Sequence, residues 1–161
     1  MTDPTSTVPS HRMDAATARR SILMQHARIR ALLAHSRAVA ERALDQQALF
    51  PEDVAHAIGD IHTALEAHLR FEEMVLMNIF NDDLPLGPVR AARLRDEHTR
   101  QRATVAGLHE EAKAAPFVPL LGAKLAFLAT WLLNDMDEEE RTMLTPDVLR
   151  DDLVAVDQSD G

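Results

Sequence analysis

Two side chains able to bind a metal stand where a helix core should be apolar. In HLRFEE, residues 68–73, His68 and Glu72 lie four apart, one turn along the same helix face. The seam they interrupt reads Val54, Ile58, Ile61, Leu65, His68, Glu72, Val75, Ile79, with the alternating four-and-three spacing of a bundle helix. The same substitution recurs on other stripes. His26 sits among Ile22, Ile29, Leu33 and Ala40, and His98 among Ala91, Leu94, Val105, Leu108 and Ala112. Asp135 and Glu139 continue the run Leu121, Leu125, Leu128, Leu132, which ends at Thr142. A buried carboxylate without a partner is costly or takes up a proton. Three of them in one small core, with no Lys on any seam, call for a cation. Iron, manganese or zinc, held by imidazole and carboxylate, would supply it.

The elements that must position these groups follow from the punctuation of the chain. A helical pattern runs from about Asp14 to about Ala43, and the break at Phe50–Pro51 opens a second helix with Pro51 in its first turn. NDDLPLGP, 81–88, is turn chemistry. A third helix spans about Val89 to about Ala114, AAPFVP breaks it, Pro119 opens a fourth, and Thr145-Pro146 stops that one. Four amphipathic helices on short loops predict an all-α, up-down-up-down four-helix bundle. His26 is as far from the start of its helix as His68 is from the end of its own, roughly 18 Å at 1.5 Å per residue. His98 and Asp135 agree in the same way at roughly 14 Å, so all six polar residues can share one layer.

Composition narrows the chemistry. The chain has 161 residues, room for a single domain, with only 5 Gly, 4% aromatics and no Tyr, a balance that favours helices. The absence of Cys excludes disulfides, thiolate zinc sites and iron–sulfur ligation. A net charge of −9 with no basic run argues against nucleic acid or an anionic membrane as partner. No signal-like or membrane-length apolar stretch is present, and the expectation is a cytoplasmic protein. Residues 1–13 read as a polar, disordered leader, 14–146 as the bundle, and 147–161 as an acidic, solvated tail.

There is an internal echo. His26 is followed some forty residues later by HLRFEE, and His98 at a similar distance by DMDEEE, 135–140, with Asp135 where the second His would stand. In LMQHARIRALL, AHLRFEEMVL, RDEHTRQRATV and WLLNDMDEEE, over roughly residues 15–146, the chain resembles the hemerythrin-like, or HHE cation-binding, family. That resemblance implies two non-haem irons inside the bundle, oxo- or hydroxo-bridged. Glu72 and Glu139 would bridge them, and His26, His68 and His98 would be terminal ligands. Two departures stand out. The oxygen-carrying members have two His four apart on the third helix, whereas His98 has Leu94 and Arg102 at those positions, which argues against a simple oxygen carrier. The layout is closer to the iron–sulfur-cluster repair di-iron proteins, whose additional Cys-containing domain is absent. The second departure is Asp135, which either ligates as a shorter anionic donor or leaves one metal position poorly held. Glu140 competes with Glu139 as the bridging acid, and Glu139 is preferred because it continues the seam.

The remaining polar residues have plainer readings. His11, His35, His56, His62 and His109 read as surface or boundary residues, and Met74, Met77, Met136 and Met143 as packing filler. Arg102 either pairs with Asp135 or Glu140 or extends to water, the default for such a side chain. Trp131 is either a wall of the centre or plain core. The functional expectation is a di-iron protein binding or processing oxygen, nitric oxide or peroxide, in sensing, detoxification or iron handling. The rival is a non-catalytic interaction or iron-storage module with a degenerate metal site. An oxidase acting on an organic substrate ranks last.

Overall fold

The computed structural model describes residues 13–45, 51–80, 86–114 and 117–149, and the description below is of these. They form four helices, α1 (Ala15–Leu44), α2 (Pro51–Ile79), α3 (Gly87–Lys113) and α4 (Val118–Thr142), with no strand among the described residues. The termini obey local chemistry. The Asp14 carboxylate caps α1 by accepting from the Thr17 N–H at 2.7 Å, satisfying a donor the helix itself cannot. Pro51, Pro88 and Pro119 all lie in first turns, where the missing N–H costs nothing. α3 starts two residues before the expected Val89 because Pro88 is tolerated inside that turn.

Contacts between neighbouring helices run in opposite directions. Arg19 on α1 donates to the Leu144 carbonyl just after α4, while Gly122 near the start of α4 lies against Ala43 at the end of α1. Between α2 and α3 the contacts run from Gly59–His109 through Glu66–Arg102 to Glu73–His98. Between α3 and α4 they run from Glu111–Lys124 to Arg93–Glu138. α1 and α4 pack most closely, while α3 and α4 approach each other least of the neighbouring pairs.

The apolar interior is in two parts. The larger holds Leu33, Ile58, Ile61, Leu65, Leu69, Leu125, Leu128 and Leu132 among others. The smaller, at the other end, holds Ile22, Val75, Leu76, Phe80, Leu94, Met143 and Leu144. Burying each such Leu or Ile contributes about 1.5–3 kcal/mol. Leu149 is also buried in the smaller cluster, with Val148 against it. The packed unit therefore reaches past the end of α4 into the segment read as tail. The rest of that segment, 150–161, and nearly all of the expected leader lie outside the described residues.

Candidate metal centre

Between the two apolar cores lies a single polar layer. Ile22 and Ile29 belong to different cores, as do Leu69 and Val75, Leu94 and Val105, and Met136 and Met143. His26, Glu72, His98 and Glu139 occupy the intervening positions on the four helices, with His68 beside Glu72. All of these are buried except Glu139, whose side chain is 11% exposed.

His26, His68, Glu72 and Glu139 each offer a donor atom within 4.8 Å of the others. His26 Nε2 lies 3.2 Å from His68 Nε2 and 3.6 Å from both Glu72 Oε1 and Glu139 Oε2. Glu72 Oε2 lies 3.3 Å from His68 Nε2 and 3.2 Å from His98 Nε2. Glu72 thus stands between the α1–α2 imidazoles and the imidazole of α3.

The tautomers follow from what the other ring nitrogens meet. His26 Nδ1 is 2.8 Å from Glu140 Oε1, His68 Nδ1 is 3.0 Å from Gln25 Oε1, and His98 Nδ1 is 3.0 Å from Glu73 Oε1. Each partner atom is an acceptor, so each Nδ1 carries the proton, and a neutral ring then presents its Nε2 lone pair to the interior. Both oxygens of Glu72 and Oε1 of Glu139 are buried without a hydrogen-bond partner. Apart from any proton held on Glu139, the cage is therefore walled by acceptors. Such a donor set is repulsive by itself and complementary to a cation.

Outside the cage, two matching clamps hold the imidazoles. Arg30, one turn after His26, donates to Glu140 Oε1 at 2.6 Å. Arg102, one turn after His98, donates to both oxygens of Glu73 at 2.6 and 3.0 Å, and to Glu66 at 3.0 Å. Each half of the chain supplies an H-x3-R pair on one helix and an adjacent Glu-Glu on the next. The first Glu lines the cage and the second grips an imidazole from behind. Such outer partners fix ring orientation and raise ligand basicity.

The charge states are set by this geometry. Burial pushes the Glu139 carboxyl well above the usual range, and the neighbouring Glu72 charge pushes it further. Burial also opposes ionisation of Glu72, but polar contact with His26 and His98, with the charge of His68, outweighs it and brings its pKa down. Burial lowers His68 from 6.5 to about 4 despite the adjacent Glu72, so that imidazole is neutral at neutral pH. The two carboxylates of the metal-free cage are thus pushed apart, Glu72 toward ionisation and Glu139 toward keeping its proton.

The hemerythrin HHE cation-binding domain, as a family model, matches residues 17–145, the helical unit with the whole cage. The chain belongs to this family. No curated protein and no solved structure gives a significant match to the chain.

Set against the hemerythrin-type expectation, His26, His68, Glu72 and Glu139 come together, and His98 joins them through Glu72. Asp135 does not. The inward position at that turn of α4 belongs to Met136, which is buried, while Asp135 is partly exposed and takes a hydrogen bond from Gln101 at 3.3 Å. The fourth seam thus needs correcting at Asp135, and also at Thr142, which is half-buried. Arg102 pairs with neither Asp135 nor Glu140; the Glu66 and Glu73 carboxylates hold its partly exposed side chain. Glu140 is the outer partner of His26. His62 and His109 stack on each other at 4.8 Å between ring centroids, as a separate pair. Trp131 packs half-buried against the larger core.

Gln25, Arg30, Glu73 and Gln101 had no role in the sequence reading. The repeated H-x3-R and Glu-Glu pairs would have pointed to Arg30 and Glu73. Gln25 and Gln101 carry no comparable signal.

Proposed function

We propose that this hemerythrin-family chain is a non-haem iron protein that binds or processes a small ligand, oxygen, nitric oxide or peroxide, in sensing, detoxification or iron handling in the cytoplasm. The observation that carries the reading is the buried cage of two carboxylates and facing imidazole nitrogens, with both Glu72 oxygens and one of Glu139 unpartnered. His26, His68, Glu72 and Glu139 would hold an ion, with His98 and the shared carboxylates beside a second in the di-iron arrangement the resemblance implies. Imidazole and carboxylate without thiolate suit iron, and also manganese or zinc.

A bound iron supplies an open coordination position and one-electron chemistry. The chain's own residues do the rest. Glu140, Gln25 and Glu73 engage every Nδ1 and aim every Nε2 inward. The apolar layers on either side keep water away and strengthen each charge interaction within. No helix of the described residues is long and apolar enough to cross a membrane.

The test is metal content after iron-replete expression, with ultraviolet–visible spectra recorded with and without oxygen and nitric oxide. Stoichiometric iron and a spectrum that responds to either gas support the reading. Protein lacking any transition metal overturns it. The rival, an interaction or storage module with a degenerate site, draws support from Asp135 standing outside the cage. Metal should raise the melting temperature by mass action if the centre is functional, and unchanged stability with and without iron favours the rival.

A further inference from the structure

We propose that the centre holds its cations unequally: one tightly on His26, His68, Glu72 and Glu139, beside a weak position that His98 cannot secure alone. This rests on the metal-binding reading above and departs from an evenly filled pair.

The donors are distributed one-sidedly. Three helices, α1, α2 and α4, bring four donor atoms within 4.8 Å of one another. His98 stands outside that group, 3.2 Å from the Glu72 Oε2 that His68 also meets, at 3.3 Å. Its counterpart would come from α4, one turn before Glu139, as His68 lies one turn before Glu72. Asp135 occupies that place and faces elsewhere. With Arg93, Asp96, Glu97, Arg100 and Glu138 it lines a surface cleft of about 450 Å³ between α3 and α4. The cause is local. An Asp side chain is too short to do what an imidazole does from the same backbone, its charge favours water, and α3 and α4 are the neighbours that approach least. The buried Gln101 side chain holds Asp135 there through Nε2, leaving its own carbonyl unpartnered.

Charge balance agrees. Ionised Glu72 and Glu139 neutralise one divalent cation in the buried layer. A second would leave the layer with excess positive charge that only an added hydroxo or oxo bridge could offset, and uncompensated charge is costly away from water. Among the neighbouring acids, Glu73 and Glu140 are already paired with Arg102 and Arg30, and Glu97 lines the same cleft as Asp135.

The experiment is a titration of the full-length apo protein with ferrous iron under anaerobic conditions, repeated with zinc as a redox-silent probe. Ions retained after gel filtration are counted by elemental analysis. Wild type should keep a single ion per chain and take a second only in metal excess. The gap should be about tenfold or more, since losing even an outer partner costs about 10–100-fold. Asp135→Ala should keep the tight ion, and His68→Ala should lose it. Two ions held alike by wild type, or loss of the tight ion in Asp135→Ala, overturns the unequal centre while leaving metal binding intact. No retained ion with either metal overturns the metal-binding reading itself.

Discussion

Replacing Glu140 by Gln removes a charge directly behind the cage without altering any group that lines it. Glu140 Oε1 accepts from His26 Nδ1 at 2.8 Å and from Arg30 at 2.6 Å, and Gln keeps a carbonyl there while losing the charge. A hydrogen bond to a charged group contributes about 1.5–3 kcal/mol and one to a neutral group about 0.5–1.5. The exchange therefore weakens the grip on His26 by about 1–1.5 kcal/mol. The Glu140 side chain is 30% exposed, so water replaces part of the lost interaction and the lower end, about 1 kcal/mol, applies. Most of this falls on the metal-loaded state, because a ligating imidazole carries more positive charge than a free one. At about 1.4 kcal/mol per decade, binding should weaken roughly fivefold to tenfold.

Zinc competition against a chromophoric chelator measures the change, with apo-protein melting as the check that the fold is intact. The control is Glu138→Gln. Glu138 pairs with Arg93, and both are about half exposed (48% and 46%), so its loss should leave affinity unchanged. Wild-type affinity in Glu140→Gln would refute a positioning role for Glu140. An equal loss in Glu138→Gln would reduce the effect to general charge.

Metal uptake by the apo protein at neutral pH should release a proton from Glu139, whose pKa is raised by burial and by Glu72. Calorimetry in two buffers of different ionisation enthalpy measures it, and buffer-independent heats would contradict it. By linkage, Glu139 contributes fully to apo stability below its unfolded value near 4.5, and that contribution is lost as pH rises through the folded value. His68 has the opposite sign. With its pKa lowered from 6.5 to about 4, apo stability should gain about 3 kcal/mol as pH rises between these values and lose it on the way down. Urea midpoints at both ends of the window should show this dependence shrinking in His68→Gln. Gly122→Ala should destabilise by up to about 2 kcal/mol despite better helix propensity, because its Cβ would meet the Ala43 Cβ at 2.8 Å and the Ala40 carbonyl at 3.1 Å. Gly107→Ala, with nothing within 4 Å, should instead stabilise by about 1 kcal/mol, and thermal melts of the two variants decide it.

Much of this architecture was readable because the core stripes are long and regular. On α2, Val54, Ile58, Ile61, Leu65, His68, Glu72 and Val75 are all buried, and only Ile79 at the helix end is half-exposed. On α4 the same spacing rule fails after Leu132. A four-and-three repeat admits either Asp135 or Met136 as the next inward residue, since Glu139 lies four from one and three from the other. Adjacent residues differ by about 100° around a helix, and the apolar neighbour takes the buried place. What surrounds the cage was hidden for another reason. Viewed on its own helix, an Arg one turn past a His is a surface residue, and the carboxylate that holds it arrives from a neighbouring helix.

The surviving outer layer shows how local the departure is. Both imidazoles that carry clamps keep them, Arg30 with Glu140 behind His26 and Arg102 with Glu73 behind His98. The clamp behind His98 is the more extensive, engaging both Glu73 oxygens and Glu66 as well. An imidazole with no task inside the layer would gain nothing from a rigid orientation, and its buried polar ring would be a cost that an apolar residue avoids. On the metal-binding reading proposed above, His98 would serve the centre through its contact with Glu72, and would act on a cation on the His26 and His68 side through the carboxylate they share.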